Sequence, residues 1–310
     1  MASLKSLKIK IRGIKKTGQV TKAMEAVSAV KMRKSQEKAF AARPYAVYAA
    51  SLLRRVASSG DFLLHPLAQK RAVKKTLFLV ITSDKGLAGS LNASLLSLLR
   101  RTIEEGKMTK ETLGFICIGR KGYEYLTRRG FTVVEYFDHV PDSPDASLYR
   151  NAARKALELF EAGAYDKVFV AYSNFISTLN QRPAIRTMLP FHREELEEII
   201  KGVTPVKGRF SGDEINLAVA LKSPGVYSYE PDVHDVYQKL LPMLLTSLAY
   251  HSGLESKASE FSARMIAMKN ATDKASELGQ ALTRKYNKIR QSSITREVSE
   301  IIGGMEALGS

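Results

Sequence analysis

The 310-residue sequence has a single cysteine, Cys117. One thiol excludes an internal disulfide and any multi-cysteine metal site. The five histidines, His65, His139, His192, His234 and His251, are all more than four residues apart, so a helical HExxH zinc motif is excluded. No apolar run approaches the roughly 18–20 residues of a membrane span; the longest, around Leu77–Ile81, is the length of a strand. The patterns GxSxG, GxGxxG and GxxxxGK[ST] do not occur. The usual sequence signs of an acyl-transfer nucleophile and of a nucleotide cradle are therefore missing. No apolar h-region follows the first lysines, so a signal peptide is not expected. A transit peptide would share the basic amphipathic character. Here the pattern runs on past Arg33 without a break, as part of the folded chain would.

Negative charge is scarce. Lys and Arg number 48 against 31 Asp and Glu, a net charge of +17. The excess is densest at the start: Met1 to Arg43 carries twelve Lys and Arg against Glu25 and Glu37, a net +10. Such a field draws anionic partners, whether nucleic acid, an anionic membrane face or an acidic protein surface, and says nothing about fold.

Periodicity separates the chain into zones. Residues 1–60 read as one long helix. Leu4, Leu7, Ile11 and Ile14 recur at spacings of 3, 4 and 3, the seam of a coiled coil. Ala23, Ala26, Val27 and Val30 are expected to continue its apolar face. Gly13, Gly18 and Pro44 weaken such a helix, Gly by about 1 kcal/mol and Pro by about 3, so a partner must hold it. Residues 74–193 alternate strands and helices. The predicted strands are Thr76–Thr82, Phe115–Ile118, Phe131–Tyr136, Lys167–Tyr172 and Ala184–Leu189; helices are expected at Asn92–Arg101, after Gly122, and at Ala146–Ala162. This order implies a Rossmann-like α/β domain with a mainly parallel sheet. Residues 194–231 are polar and rich in Gly and Pro, a connector. Residues 232–310 are helical again. Phe261, Met265, Met268, Thr272, Ala275, Gly279, Leu282, Tyr286 and Ile289 alternate at spacings of 4 and 3, and Ile294, Val298, Ile301, Met305 and Leu308 form a second run out of step with the first. Two terminal helices with matching seams, separated by a globular insert, are expected to pair antiparallel.

Individual motifs mostly favour structural roles. The segment Ser83–Asn92 sits where α/β sheets bind phosphates, and Lys85, Gly86 and Gly89 invite that reading. A tight strand-to-helix turn is the stronger expectation, with Asp84 and Asn92 as loop and cap residues. Cys117, between Ile116 and Ile118, reads as a buried inert thiol. Glu194, Glu195, Glu197 and Glu198 read as a solvated acidic face. Met24, Met32, Met265 and Met268 read as core filler. The basic stretches Lys15-Lys16 and Lys31-Met32-Arg33-Lys34 could meet nucleic acid, but no aromatic residue lies between Met1 and Lys38 to stack bases. A nucleic-acid-binding α/β protein and a nucleotide-dependent enzyme are the competing readings.

Longer motifs are more specific. The stretch Ile14 to Gln36 (IKKTGQVTKAMEAVSAVKMRKSQ), together with Arg43-Pro44-Tyr45, resembles the opening of the gamma subunits of F-type ATP synthases. Ala263 to Asp273 (ARMIAMKNATD) and Tyr286 to Gly304 (YNKIRQSSITREVSEIIGG) resemble the same family's later signatures. Ser83 to Asn92 (SDKGLAGSLN) is similar to its SDRGLCGGxN loop, departing at Lys85, Ala88 and Ser90. The resemblance covers essentially the whole chain.

It implies terminal helices forming an antiparallel coiled coil with an inserted α/β domain. It also implies a rotor that transmits torque between the membrane ring and the catalytic hexamer of a proton-translocating ATP synthase. No catalytic residue, cofactor or metal is expected. The implied partners are the alpha and beta subunits, the epsilon subunit and the membrane c-ring. The implied location is the cytoplasmic side of a bacterial cell membrane, as a peripheral protein without its own transmembrane segment. By the same resemblance Met24, Arg264, Arg290, Gln291, Thr295 and Glu297 are rotor–stator contacts. Tyr227, Tyr229 and Glu230 are ring contacts. The cysteine-pair loop of chloroplast relatives has no counterpart here, where only Cys117 is present, so redox control through it is not expected.

Overall fold

The computed structural model describes residues 4–56, 65–69, 71–143, 145–191 and 233–308. The expected connector 194–231, with the glutamates Glu194, Glu195, Glu197 and Glu198 and the ring-contact residues Tyr227, Tyr229 and Glu230, lies outside the described residues. The element order is α1 (Leu4–Val56), β1 (Thr76–Ile81), α2 (Leu91–Glu105), β2 (Leu113–Ile118), α3 (Arg120–Thr127), β3 (Val133–Phe137), α4 (Ala146–Glu161), β4 (Lys167–Ser177), β5 (Asn180–Leu189) and α5 (Val233–Leu308). A short 3-10 turn at Lys110–Thr112 leads into β2. The terminal helices are 53 and 76 residues long, far beyond the 8–20 usual in a globular domain. The chain divides into two compact units. One combines Met1–Ser28 with Met265–Ser310, and the other is Ala29–Arg264.

In the larger unit the five strands form one sheet in the order β3-β2-β1-β4-β5. The first four are parallel, and β5 returns antiparallel to β4 as a hairpin. All six residues of β1 and all six of β2 are buried, as expected for central strands covered on both faces. Alternation along β1 sorts the two cores. Leu77, Leu79 and Ile81 face a layer with Tyr149, Ala153 and Phe160 of α4 and Tyr237, Leu241 and Leu245 of α5. Phe78 and Val80 face Leu95 and Leu99 of α2 and Leu126 of α3. Two helical layers thus sandwich a mainly parallel sheet, as the pattern predicts.

The hairpin is longer than its apolar pattern suggests. Strand β4 continues past Tyr172 to Ser177, and β5 starts at Asn180 rather than Ala184. The added residues are mostly polar and pair with serines on α5. The Ser173 amide donates to Ser256 Oγ (3.2 Å), Ser259 Oγ donates to the Ser173 carbonyl (3.0 Å) and Ser262 Oγ donates to the Thr178 carbonyl (2.7 Å). A period-2 hydrophobic signal cannot report strands held this way.

The loop after β2 depends on glycine. Gly119 has φ +92°, and a Cβ there would lie 2.1 Å from the Thr82 carbonyl oxygen. Only glycine permits both the conformation and the approach.

Candidate functional site

In the smaller unit the helices pair through a narrow seam. On α1 the less exposed positions are Leu4, Leu7, Ile11, Ile14, Gly18, Thr21, Glu25 and Ser28, at alternating spacings of 3 and 4. Met24 is half-buried beside them. On α5 they are Met265, Met268, Thr272, Ala275, Gly279, Leu282, Tyr286 and Ile289. Thr21 Oγ1 and Thr272 Oγ1 share a hydrogen bond of 2.7 Å. A Cβ on Gly18 would meet Ala275 Cβ at 3.5 Å, and one on Gly279 would meet Ile14 Cγ2 at 3.8 Å. Partners thus run 14 to 279, 18 to 275 and 21 to 272, so the helices are antiparallel, and the seam closes on small residues. Gly18 and Gly279 thus face the partner helix at ordinary contact distance, whereas Gly13 is exposed with nothing within 4 Å of its Cβ position.

One expectation about this helix fails. Ala23, Ala26, Val27 and Val30 are exposed. At about 100° per residue they stand roughly 140–240° round the helix from Thr21, on its outer side. The packed face is carried instead by Gly18, Thr21 and Ser28, which keep the 3–4 spacing of Leu4 to Ile14, a register that Ala23, Ala26, Val27 and Val30 miss. Lys5, Lys8, Lys10, Arg12, Lys15, Lys16 and Lys22 are exposed, so the basic field is solvated.

Continuing the register places Leu4, the first described residue of α1, opposite Ile289. The second apolar run of α5 lies past that point. Ile294, Val298, Ile301, Ile302 and Met305 are 49, 48, 64, 53 and 69 % exposed. Arg290, Gln291, Thr295 and Glu297 are exposed on the same stretch. Thr295 Oγ1 donates to the Gln291 carbonyl (3.0 Å), and Ser293 Oγ donates to Glu297 Oε1 (3.2 Å). The end of α5 therefore presents an apolar stripe alternating with polar groups.

In the larger unit the Ser83–Asn92 segment is a tied turn, as its stronger reading expects, but Ser90 holds the N-cap of α2 and Asn92, inside the first turn of the helix, ties back to Ser83 instead. The Asp84 carboxylate accepts from the backbone amides of Arg120 (2.9 Å) and Val140 (2.8 Å). Asn92 Oδ1 accepts from the Ser83 amide (3.2 Å), Asn92 Nδ2 donates to Ser83 Oγ (2.7 Å), and Ser83 Oγ donates to the Lys85 carbonyl (2.7 Å). The cavity beside it offers a water-sized sphere only about 10 Å³, against the roughly 300–1,000 Å³ of ordinary small-molecule sites. A nucleotide has no room there. Cys117 is buried, and burial pushes its thiol up to about 12, which makes it inert.

Arg264 clamps this turn from α5. Its Nη2 donates to the carbonyls of Gly86 (3.2 Å) and Lys85 (3.4 Å) and to Glu260 Oε1 (2.8 Å). Lys257 Nζ donates to the other carboxylate oxygen of Glu260 (3.0 Å). All three side chains are buried. The cationic groups of Lys31, Lys257 and Arg264 all lie within 6 Å of the Phe261 ring centroid, close enough for its π face to favour them. Lys31 also pairs with Asp142. Burial raises the Asp142 carboxyl, but Lys31, with Lys257 and Lys85, outweighs it and leaves the group below the usual aspartate range. No sequence pattern announced this cluster. Its only trace is a run of charged and Ser residues, His251 to Arg264, that the structure buries throughout except Ala263.

Comparison with known proteins decides the lineage. The sequence profile of the ATP synthase family ("ATP-synt") matches residues 3–308. The "ATP synthase gamma chain" of Staphylococcus saprophyticus is 37% identical over 308 residues, spanning 99% of this chain and all of that protein. That of Macrococcus caseolyticus is 38% identical over 309 residues, again 99% of this chain and all of the relative. The chain belongs to the ATP synthase gamma chain family. Solved structures share the fold. A chain of the Euglena gracilis mitochondrial ATP synthase (OSCP/F1/c-ring, rotational state 3) aligns with TM-score 0.62 and 21% identity, over 98% of this chain and 94% of that one. A chain of the Tetrahymena thermophila mitochondrial ATP synthase central stalk and c-ring aligns with TM-score 0.60 and 24% identity, over 81% of this chain and 99% of that one. Among the described residues no helix is long and apolar enough to cross a membrane, and no group of acidic, His or Cys side chains could hold a metal ion.

Proposed function

We propose that the chain is the central-stalk rotor of a proton-translocating F-type ATP synthase and carries torque without catalysing a reaction itself. The observation that carries this reading is the end of α5. Past the position opposite Leu4, the first described residue of α1, five apolar side chains stand in solvent at the positions of a helical stripe. An unpaired stripe of this kind marks a surface that another protein covers. Alternating alpha and beta subunits around the shaft are that cover. Arg290, Gln291, Thr295 and Glu297 then meet polar groups of those subunits at one angle and release them at others.

The remaining assignments follow the same reading. Met24 meets the lever segment of a beta subunit. Arg264 acts at the same level through the turn it clamps, since its guanidinium is engaged by Lys85, Gly86 and Glu260. Tyr227, Tyr229 and Glu230 dock on the c-ring, and the epsilon subunit is a further partner of the stalk. The chain works on the cytoplasmic face of a bacterial membrane as a peripheral protein. The seam supports torque transmission, because Gly18, Ala275 and Gly279 bring two long helices into close contact and the Thr21–Thr272 bond fixes their register. The nucleic-acid reading is not favoured, since the relatives matched over the full chain are ATP synthase gamma chains.

The test is reconstitution of the full chain with alpha and beta subunits. Arg290→Ala and Gln291→Ala are expected to leave the chain's melting midpoint unchanged. Each removes a bond to a charged partner worth about 1.5–3 kcal/mol and slows multi-site ATP turnover roughly ten- to a hundredfold. Wild-type turnover in both variants would overturn the assignment of this face.

A further inference from the structure

The cavity under the Ser83–Asn92 turn is too small for a metabolite, yet its lining is polar. Thr82, Ser83, Asn92, Tyr149, Ser173, Ser256, Lys257 and Glu260 surround it, with Ile81, Leu91 and Val140 as the apolar wall. Tyr149 is fully buried, and its hydroxyl has no hydrogen-bond partner in the protein. The ring cannot swing away to find one. It lies against the backbone of α5, where a Cβ on Gly253 would fall 2.1 Å from Tyr149 Cε1. Leaving a buried hydroxyl unpaired is costly, and native proteins rarely do so.

The lining is also rich in unused donors. Lys257 Nζ has three protons and gives one to Glu260. Asn92 Nδ2 has two and gives one to Ser83. Ser256 Oγ accepts from the Ser173 amide and keeps its own proton. Burial, and after it the charge of Glu260, holds the Tyr149 phenol well above its ordinary value, so it stays a neutral donor. A ligand here must accept from about two of these donors, can give its own protons to a hydroxyl oxygen such as that of Tyr149, and must fit about 10 Å³. One water needs roughly 10–15 Å³ by this measure and two to four polar partners.

We infer that the cavity binds one ordered water molecule, held by Tyr149 Oη and by groups of Asn92, Ser256 and Lys257, which joins the signature turn, α4 and α5 through a single buried hydrogen-bonded node. A halide is the competing occupant, since Lys257 and Arg264 outnumber Glu260 in charge at this spot. Its larger radius does not suit the space. The node stands whether or not the chain turns inside a hexamer, and it explains why a tyrosine rather than a phenylalanine occupies position 149.

Two measurements test it. A crystal structure of the full chain at a resolution that shows ordered water, grown in chloride and again with bromide replacing it, should show one peak about 2.6–3.2 Å from Tyr149 Oη and from at least two of the other groups, with no bromide anomalous signal. An empty cavity, or a bromide peak, would overturn the assignment. Tyr149→Phe keeps the ring and removes only the hydroxyl. If water satisfies that hydroxyl, the variant's melting midpoint falls by about 2–4 °C. An unchanged or raised midpoint would show that the hydroxyl had no partner to lose.

Discussion

Two stretches of helix α5 invert the ordinary rule of burial. From His251 to Arg264 the helix carries His251, Glu255, Lys257, Glu260 and Arg264, with Ser252, Ser256, Ser259 and Ser262, and all of them are buried. From Ile294 to Met305 it carries isoleucine, valine and methionine, and they are exposed. Polar groups inside and apolar groups outside both need a reason, since burial of ions costs free energy and exposed apolar surface forgoes it. Inside the larger unit the reason is on hand: Lys257, Glu260 and Arg264 meet one another, the Phe261 ring and the carbonyls of Lys85 and Gly86. At the far end of the helix it is not, because the register of the coiled coil places no described residue of α1 beyond Ile289. The ion pairs of the first stretch find their partners within the chain; the second, on the proposed reading, is half of an interface.

The largest expected effect breaks the buried stretch. Glu260→Ala leaves Lys257 and Arg264 without their shared carboxylate. Losing one partner of a buried ion pair costs about 3–5 kcal/mol, so the denaturation midpoint of the full chain should drop sharply at unchanged slope. Equality with wild type would mean that water reaches these groups. Next comes Gly253→Ala, which drives a methyl group into the immobile Tyr149 ring. Overpacking of this kind costs about 1–3 kcal/mol, and pairing it with Tyr149→Leu should return part of the loss.

The sequence made the fold class readable because its signals were local. The apolar run Thr76–Ile81 and the alternation of strands and helices predict the sandwich, and the spacings of 3 and 4 along Leu4 to Ile14 and Phe261 to Ile289 predict the antiparallel pair. Hydrophobicity misled where packing is tight or polar. Ala23, Ala26, Val27 and Val30 looked like the seam of α1, yet Gly18, Thr21 and Ser28 carry it. The hairpin beyond Tyr172 escaped notice because Ser256, Ser259 and Ser262 hold it by hydroxyls. The candidate site was legible only as long motifs. Nothing in the spacing of Arg264 shows that it reaches the Lys85 and Gly86 carbonyls, some 180 residues earlier in sequence.

A smaller effect separates the surface ion pair from the buried ones. The Asp142 carboxyl is depressed by Lys31, so its contribution is present above the ordinary aspartate pKa near 3.9 and is lost as pH falls through its lower folded-state value. Both side chains are more than a third exposed, so the contribution is under about 1 kcal/mol. In acid titrations Asp142→Asn should flatten the loss of stability below pH 4 slightly; a steeper acid limb in the variant would reverse the sign argued here.

The smallest effect on the fold tests the central claim. Ile294→Ser, Val298→Ser and Ile301→Ser, combined in one variant, alter exposed positions where a substitution costs the isolated chain no more than about 0.5 kcal/mol. The decisive measurement is the melting midpoint of that variant beside its multi-site ATP turnover when assembled with alpha and beta subunits. An unchanged midpoint with turnover reduced at least tenfold is the predicted result. Wild-type turnover, or a chain that melts several degrees early, would show that the stripe serves the chain's own fold or nothing at all.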